Sequence, residues 1–227
     1  MAKFIMFDLD GTLIDGVDDL LFAMNELLGV HDLAPLKRHD LEAMLGDGTW
    51  MLTKRAFAAR GETPDDATLD ELNIDFNARY RATDYAHTRL YDNAEATLRN
   101  LAKDGWTIAL ASNKPTAPCE RILEKLGISD LFAVIAGGDA TTVKKPDSGH
   151  LRFVLGKLGY NAANGDIAVM VGDHANDINA ARDAGTHAIA VAFEVSADRA
   201  NTLNADAVVT DYTNLVRAIN DIIQPKG

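Results

Sequence analysis

The sequence predicts an α/β protein with a doubly wound, Rossmann-like parallel sheet as its core and an all-helical cap domain inserted into that core. Two observations lead to this fold class. Over most of the chain, short apolar runs alternate with helix-like stretches, which is the strand and helix repeat of a parallel sheet. The interval 15–90 contains helix-like patterns alone, which indicates a separate helical insertion.

Six apolar runs are the predicted strands of the core. The four main runs stop abruptly at a polar turn and precede a helix-like stretch, as strands buried on both faces of a parallel sheet do. These four cover residues 3–7, 106–111, 167–171 and 187–193. Two shorter runs, 132–136 and 207–209, add a strand each.

Helix-like stretches occupy the intervals between these runs. The predicted core helices cover residues 93–103, 115–126, 150–158, 176–184 and 215–223. Gly105, Gly127 and Gly185 follow the first, second and fourth of them. Glycine commonly occupies the position just beyond the end of a helix, so these residues support the predicted ends.

The interval 15–90 keeps the spacing of amphipathic helices. Two groups of apolar residues recur at helical spacing: Leu20, Leu21, Met24, Leu27 and Leu28, and later Leu69, Leu72, Phe76 and Tyr80. Because no strand-like run interrupts them, we predict a core made of residues 1–14 and 91–227 and a helical cap domain made of residues 15–90.

Composition and charge exclude several classes of function. The chain has 34 acidic and 22 basic residues, a net charge of −12, which argues against nonspecific binding to nucleic acid or to anionic membranes. Its single cysteine cannot form an internal disulfide, and its start lacks the pattern of a signal peptide. No apolar stretch approaches membrane-spanning length. We expect a soluble, cytoplasmic protein; the sequence leaves open whether it is a monomer or a homodimer.

The candidate functional residues follow the predicted strands. In an open parallel sheet, ligands bind at the carboxyl ends of the strands, so polar residues directly after apolar runs are the first candidates. This criterion, together with a lysine that precedes a proline and a helix, selects Asp8, Asp10, Gly11, Ser112, Asn113, Lys145, Asp173 and Asp177.

The carboxylates among these residues suit phosphoryl transfer. Asp8 could attack a phosphate ester, because the acyl phosphate that it forms is readily hydrolysed in a second step. Asp10 could protonate the leaving oxygen and then accept a proton from water. A hard divalent cation such as Mg²⁺ would neutralise the neighbouring anions, with Asp8 and Asp173 as its side-chain ligands.

The other candidates suit binding of the phosphoryl group. Ser112, the backbone amides around Gly11 and Asn113, and the ammonium of Lys145 would hold its oxygens. Asp177, one helical turn into the last motif, could hold a water on the metal or orient the lysine.

Four sequence segments, DLDGT, ASN, KKP and GDHAND, occur in the order and contexts of the four motifs of the haloacid dehalogenase superfamily. The chain therefore resembles a hydrolase of that superfamily. The segments DLDGTLID, LGDG, ALASNKP and GGD are similar to those of its phosphoglycolate phosphatase group, whose members carry a helical cap after the first motif.

The resemblance implies a role for each motif residue. It implies that Asp8 is the nucleophile and a metal ligand, that Asp10 is the acid and base with its backbone carbonyl on the metal, and that Asp173 completes the magnesium site. It further implies that Ser112 and Lys145 bind the phosphoryl group. Lys145 is preferred to its neighbour because it directly precedes the proline.

Simpler interpretations of the same residues are weaker. A calcium loop also opens with two aspartates two residues apart, but Leu13 stands where that loop needs glycine and Asp19 where it needs glutamate. In isolation, a Ser-Asn pair is typical of a turn, a Lys pair of a solvated surface, and Asp173 and Asp177 of helix-capping acids. Their joint occurrence after successive strands favours the catalytic interpretation.

Three hypotheses for the function remain open on the sequence. The first is a phosphatase for small phosphorylated metabolites, with 2-phosphoglycolate as the leading substrate by resemblance. The second is a phosphosugar mutase or sugar phosphatase of the same fold, and the third is a non-catalytic binding protein. Asp47, Thr49 and Trp50 are candidates for substrate contact from the cap, although the charge of Asp47 would not favour a substrate carboxylate.

Overall fold

The computed structural model describes residues 1–193 and 200–224. The chain divides into two compact units, one of Met1–Ile14 and Leu90–Gly227 and one of Asp15–Arg89. Leu90 groups with the first unit, one residue from the predicted boundary. That the second unit serves as a cap remains a prediction.

A six-stranded parallel sheet forms the centre of the first unit, as predicted. The strands are β1 (Lys3–Phe7), β4 (Trp106–Ala111), β5 (Phe132–Ala136), β6 (Ile167–Gly172), β7 (His187–Val191) and β8 (Ala207–Val209). Their order in the sheet is β5-β4-β1-β6-β7-β8, and every recorded pairing is parallel. The predicted strand 187–193 thus ends two residues early, at Val191.

β1 lies between β4 and β6 and is covered on both faces, which explains its uninterrupted apolar sequence. Ile5, Met6 and Phe7 are fully buried. Met6 packs in a cluster with Met170, Leu151 and other apolar residues. Because both neighbours of β1 are parallel to it, the three strands end at the same edge of the sheet.

Five helices that lie wholly within the described residues of the first unit pack along this sheet. They are α5 (Ala94–Lys103), α6 (Thr116–Lys125), α7 (Ser148–Leu158), α8 (Ala175–Ala184) and α9 (Leu215–Ile223). α5 packs on β4, α6 on β5, α8 on β6 and β7, and α9 on β8, while α7 contacts β4 and β5. Short 3₁₀ turns occur at Ser129–Leu131, Ala162–Asn164 and Tyr212–Asn214.

α7 begins two residues before its predicted start. The side chain of Asp147 accepts a hydrogen bond from the amide of Gly149 at 2.7 Å, which satisfies one of the free amides of the first turn. At the other end, Gly159 adopts a φ of 75° and stops the helix.

The second unit consists mainly of four helices: α1 (Val17–Val30), α2 (Arg38–Glu42), α3 (Thr49–Ala58) and α4 (Asp66–Ala82). The apolar stripes of α1 and α4 are buried, and the two helices pack against each other. Within the described residues, no helix combines the length and apolar character needed to cross a bilayer.

The two chain crossings carry the short strands β2 (Ile14–Asp15) and β3 (Arg89–Leu90), which form a two-stranded sheet. The sequence predicts no strand in this interval, because two residues are too few to show an alternating pattern. The buried Asp15 forms ion pairs with Arg38, at 2.8 Å, and with Arg89. These pairs compensate the charge of a carboxylate that is removed from water.

Candidate active site

Three aspartates converge at the carboxyl ends of β1 and β6. Phe7 lies opposite Val171 in the register of the two strands, and the amide of Asp8 donates to the carbonyl of Val171 at 3.0 Å. The next residues of both strands therefore leave the sheet side by side. Carboxylate oxygens of Asp8, Asp173 and Asp177 all lie within 4.8 Å of one another.

Two glycines allow this close approach. Gly11 adopts a φ of +76°, and a Cβ at that position would lie 2.5 Å from Asp173 Oδ2. A Cβ at Gly172 would overlap the carboxyl group of Asp177. Any side chain at either position would displace a carboxylate of the cluster. The amide of Gly11 itself donates to the carbonyl oxygen of Ile14 at 3.0 Å, so in this structure Gly11 serves the cluster through its missing side chain.

Lys145 brings a buried positive charge to the cluster. Its Nζ lies 2.5 Å from Asp177 Oδ1 and 3.0 Å from Asp8 Oδ1. Burial alone would lower the pKa of Lys145, but the charges of Asp177 and Asp8 outweigh it and raise the pKa above its ordinary value. Lys144, by contrast, is exposed. Of the two lysines, the one that precedes the proline lies among the aspartates.

Burial and neighbouring negative charges act on two aspartates of the cluster. Burial raises the pKa of Asp173 well above its ordinary value, and the neighbouring charges of Asp177 and Asp8 raise it further. Burial also raises the pKa of Asp177, against the opposing effect of Lys145. A second cation in the cluster would favour the ionised form of both groups.

The donor set fits a hard divalent cation. All its side-chain atoms are carboxylate oxygens, the ligand type that Mg²⁺ prefers. Within the described part of the chain, the buried Oδ1 of Asp8 accepts no hydrogen bond, although the Lys145 ammonium is 3.0 Å away. Such an atom retains capacity for a further ligand. Asp8, Asp173 and Asp177 are thus the residues that could hold Mg²⁺.

The carboxylate of Asp10 lies outside this cluster and faces a lysine. Lys114 Nζ is 2.9 Å from Asp10 Oδ2 and 3.1 Å from Oδ1. Lys114 is not among the residues that the sequence predicts for the site, although it directly follows Ser112 and Asn113. A lysine placed immediately after two predicted ligand-binding residues was the available signal.

Asn113 holds the loop that carries Lys145. Its Nδ2 donates to the carbonyl oxygen of Lys145 at 2.9 Å, and its Oδ1 accepts from the amide of Lys145 at 3.0 Å. Ser112 is buried, and β4 runs beside β1 with Leu110 opposite Phe7, so Ser112 lies at the same edge as Asp8. The side chain of Asn113 thus positions the lysine, a role that sequence spacing does not show.

Thr12 and Tyr212 hold Asp173 in place through two successive hydrogen bonds. The Thr12 hydroxyl donates to Asp173 Oδ1 at 2.9 Å, and the hydroxyl of Tyr212 donates to the carbonyl of Thr12 at 2.7 Å. Burial raises the pKa of Tyr212, and the charge of Asp173 adds to the effect. The phenol therefore stays protonated and keeps its role as a donor.

The chain is similar to known proteins over most of its length. Residues 5–191 match the family model described as haloacid dehalogenase-like hydrolase, and this range contains all eight candidate residues. The chain is 35% identical to the phosphoglycolate phosphatase of Agrobacterium fabrum, over 100% of the chain and 96% of that protein. It is 36% identical to that of Rhodospirillum rubrum, over 95% of the chain and 90% of that protein.

A solved structure gives the same result for the fold. The crystal structure of a predicted phosphoglycolate phosphatase from Haemophilus somnus superposes with a TM-score of 0.85 and 26% identity. The alignment covers 96% of this chain and 98% of that one. The resemblance inferred from the motifs is thereby confirmed.

Proposed function

This chain belongs to the haloacid dehalogenase-like hydrolase family, and we propose that it is a magnesium-dependent phosphatase that hydrolyses small phosphate monoesters through an aspartyl-phosphate on Asp8. One observation carries the proposal. The ammonium of Lys145 lies between Asp8 and Asp177, in a cluster of carboxylates at the carboxyl edge of the sheet. A cation beside a potential nucleophile is the arrangement that brings a phosphoryl group to a carboxylate.

The reaction has two halves. In the first, a carboxylate oxygen of Asp8 bonds to phosphorus, the bond between phosphorus and the ester oxygen breaks, and Asp10 gives that oxygen a proton. In the second, water bonds to phosphorus, the bond to Asp8 breaks, and Asp10 takes the proton of the water. Lys145, Ser112 and the backbone amides around Gly11 and Asn113 hold the phosphoryl oxygens throughout.

Magnesium fits the donor set of Asp8 and Asp173, with the Asp10 backbone carbonyl as the further ligand that the family resemblance implies. When bound, it supplies positive charge that lets a phosphate dianion approach the Asp8 carboxylate. Asp177 is engaged with Lys145 at 2.5 Å and accepts from the amide of His174 at 3.0 Å. Its role in this proposal is to orient the lysine.

The leading substrate is 2-phosphoglycolate, since two relatives that match 100% and 95% of the chain are named phosphoglycolate phosphatases. The charge of Asp47, which argued against a substrate carboxylate, is paired with Arg55 at 2.5 Å. Trp50 donates to Asp70 at 2.8 Å. Contact of Asp47, Thr49 or Trp50 with substrate remains a proposal, as do a cytoplasmic location and a monomeric or homodimeric state.

A screen of phosphorylated metabolites tests the proposal, with and without Mg²⁺ and with Asp8→Asn as the matched control. We expect phosphate release from 2-phosphoglycolate that requires Mg²⁺ and is lost in Asp8→Asn. Incubation with a bisphosphorylated sugar separates the alternatives, because an isomeric product would indicate a mutase. Turnover by Asp8→Asn would contradict the proposed nucleophile, and binding without any turnover would favour a non-catalytic protein.

A further inference from the structure

Asp173, one of the proposed ligands of Mg²⁺, is linked to a residue far from the catalytic motifs. Its Oδ1 accepts from the hydroxyl of Thr12 at 2.9 Å. The carbonyl oxygen of Thr12 in turn accepts from the hydroxyl of Tyr212 at 2.7 Å. A carbonyl oxygen has no proton to give, so the phenol must be the donor. Tyr212 is thus connected to Asp173 through a single intervening residue.

The backbone of Thr12 is held on both sides of its Cα. Its amide donates to the carbonyl of Leu9 at 3.3 Å, and its carbonyl accepts from Tyr212. A threonine side chain has few rotamers, because its Cβ carries two heavy atoms. The position of the backbone therefore determines where the Thr12 hydroxyl lies. Thr12 is also fully buried, so bulk water does not compete for that hydroxyl.

Tyr212 is itself fixed by its neighbours. It is only 1% exposed, and its ring packs on that of Phe193 with the centroids 4.9 Å apart. Its carbonyl oxygen accepts from the hydroxyl of Thr97, on α5, at 3.3 Å. Asp211 caps the 3₁₀ turn Tyr212–Asn214 by accepting from the amide of Thr213 at 2.6 Å. The phenol therefore reaches Thr12 from a position that packing and hydrogen bonds define.

We propose that Tyr212 is a positioning residue that orients Asp173 through Thr12 and so raises the affinity of the site for Mg²⁺. This inference rests on the proposed magnesium-dependent function. A carboxylate that is held at one oxygen has fewer orientations open to it, so its other oxygen meets a cation at a smaller cost in entropy. Removal of a residue that orients a metal ligand in this way commonly weakens metal binding by about 10–100-fold.

A purely structural role for Tyr212 can be separated from this one by two substitutions. Tyr212→Phe removes the phenol oxygen and keeps the ring. Thr12→Val removes the side-chain hydroxyl and keeps the carbonyl that Tyr212 contacts. If Tyr212 acts on Asp173 through Thr12, its hydroxyl should no longer affect metal binding once the Thr12 hydroxyl is gone.

Binding of Mn²⁺ to the substrate-free protein measures the effect without any turnover. Mn²⁺ suits the same carboxylate ligands as Mg²⁺, and electron paramagnetic resonance detects the ion that stays free in solution. We expect the Kd for Mn²⁺ to rise at least about threefold in Tyr212→Phe and about tenfold in Thr12→Val. The double variant should match Thr12→Val, and Thr12→Ser, which keeps the hydroxyl, should stay close to wild type.

Tyr160→Phe is the matched control. Tyr160 is half-buried and packs edge-to-face on Phe4, near the start of β1, whereas Asp8 follows the end of that strand. This variant loses a phenol oxygen at the opposite edge of the sheet. We expect it to keep the wild-type Kd for Mn²⁺, and Mg²⁺ should displace Mn²⁺ from wild type and control alike.

Other outcomes overturn the inference. An unchanged Kd in Tyr212→Phe, with only a lower midpoint of urea unfolding, would show that Tyr212 is merely structural. A larger loss in the double variant than in Thr12→Val would show that Tyr212 acts by a route other than Thr12.

Circular dichroism identifies a temperature at which the variants are folded. If Tyr212→Phe does not fold, a wild-type Kd in Thr12→Val would still refute the route through Thr12. If wild type binds no Mn²⁺ that Mg²⁺ displaces, the proposed magnesium-dependent function fails and the inference with it. If wild type binds the ion and only Tyr212→Phe keeps its full affinity, the inference fails and the proposed function stands.

Discussion

The ammonium of Lys145 lies 2.5 Å from Asp177 Oδ1, and the side chains of both residues are only 1% exposed. Asp8 lies 3.0 Å from the same ammonium. A buried charge is costly unless it is paired, and here one cation compensates two carboxylates. The pairing should therefore contribute measurably to the stability of the fold.

Replacement of Lys145 tests this contribution to stability. Lys145→Met leaves Asp177 buried without its cation, which should lower the free energy of unfolding by about 3–5 kcal/mol. Lys144→Met is the matched control, since that side chain is exposed and a surface substitution should change stability by no more than about 0.5 kcal/mol. Urea unfolding of the two variants measures the difference. Equal stabilities would contradict the buried pairing.

Gly11 offers a test of the geometry around Asp173. Gly11→Ala and Gly159→Ala should both suffer backbone strain, because φ is +76° and +75° at these positions. Only at Gly11 would the new Cβ meet another group, Asp173 Oδ2, at 2.5 Å.

We therefore expect Gly11→Ala to lose phosphatase activity and to need more Mg²⁺ for its remaining turnover, while Gly159→Ala keeps its activity. A magnesium titration of both variants, at a temperature where both are folded, makes the comparison. Similar activity in the two variants would show that the close approach at Gly11 is unimportant.

The parts of this fold that the sequence predicts are those with a strong local pattern. β1 is predictable because Lys3–Phe7 is an apolar run between polar residues, and its burial between β4 and β6 explains that run. β2 was missed because Ile14–Asp15 is too short to show a period. The first residue of α7 is not predictable in this way, because it is set by the capping side chain of Asp147. Many other polar residues in turns could cap a helix equally well, so the sequence does not single out this one.

In the candidate site, too, some features are predictable from the sequence and others are not. The positions of Asp8 and Asp173 follow from the rule that polar residues after parallel strands share one edge. The pairing of Lys114 with Asp10 does not, because it depends on the direction of a long side chain from a turn. The hydrogen bond from Asn113 to the backbone of Lys145 is likewise not predictable, because it joins two segments that are 32 residues apart in the sequence.

His150 should make stability depend on pH. It is fully buried, and burial lowers its pKa, with the Lys145 ammonium acting in the same direction. In the unfolded chain its pKa is about 6.5. As the pH falls through that value, the unfolded state binds a proton that the folded state does not bind, so stability is lost toward lower pH.

Urea unfolding of wild type and His150→Phe at about pH 7.5 and about pH 5.5 measures this effect. Wild type should lose more stability between the two values than the variant, because the variant has no imidazole to protonate at position 150. An equal loss in both proteins would show that His150 does not contribute to the pH dependence.

The central claim, that Asp8 takes up the phosphoryl group, can be tested by trapping the acyl phosphate. Wild type is mixed with substrate and Mg²⁺, quenched in acid within its turnover time, reduced with borohydride and digested for mass spectrometry. Reduction of a phosphorylated aspartate gives homoserine, so we predict homoserine at position 8 in samples that contained substrate and aspartate in those that did not. Homoserine at any other aspartate, with position 8 unchanged, would contradict the account.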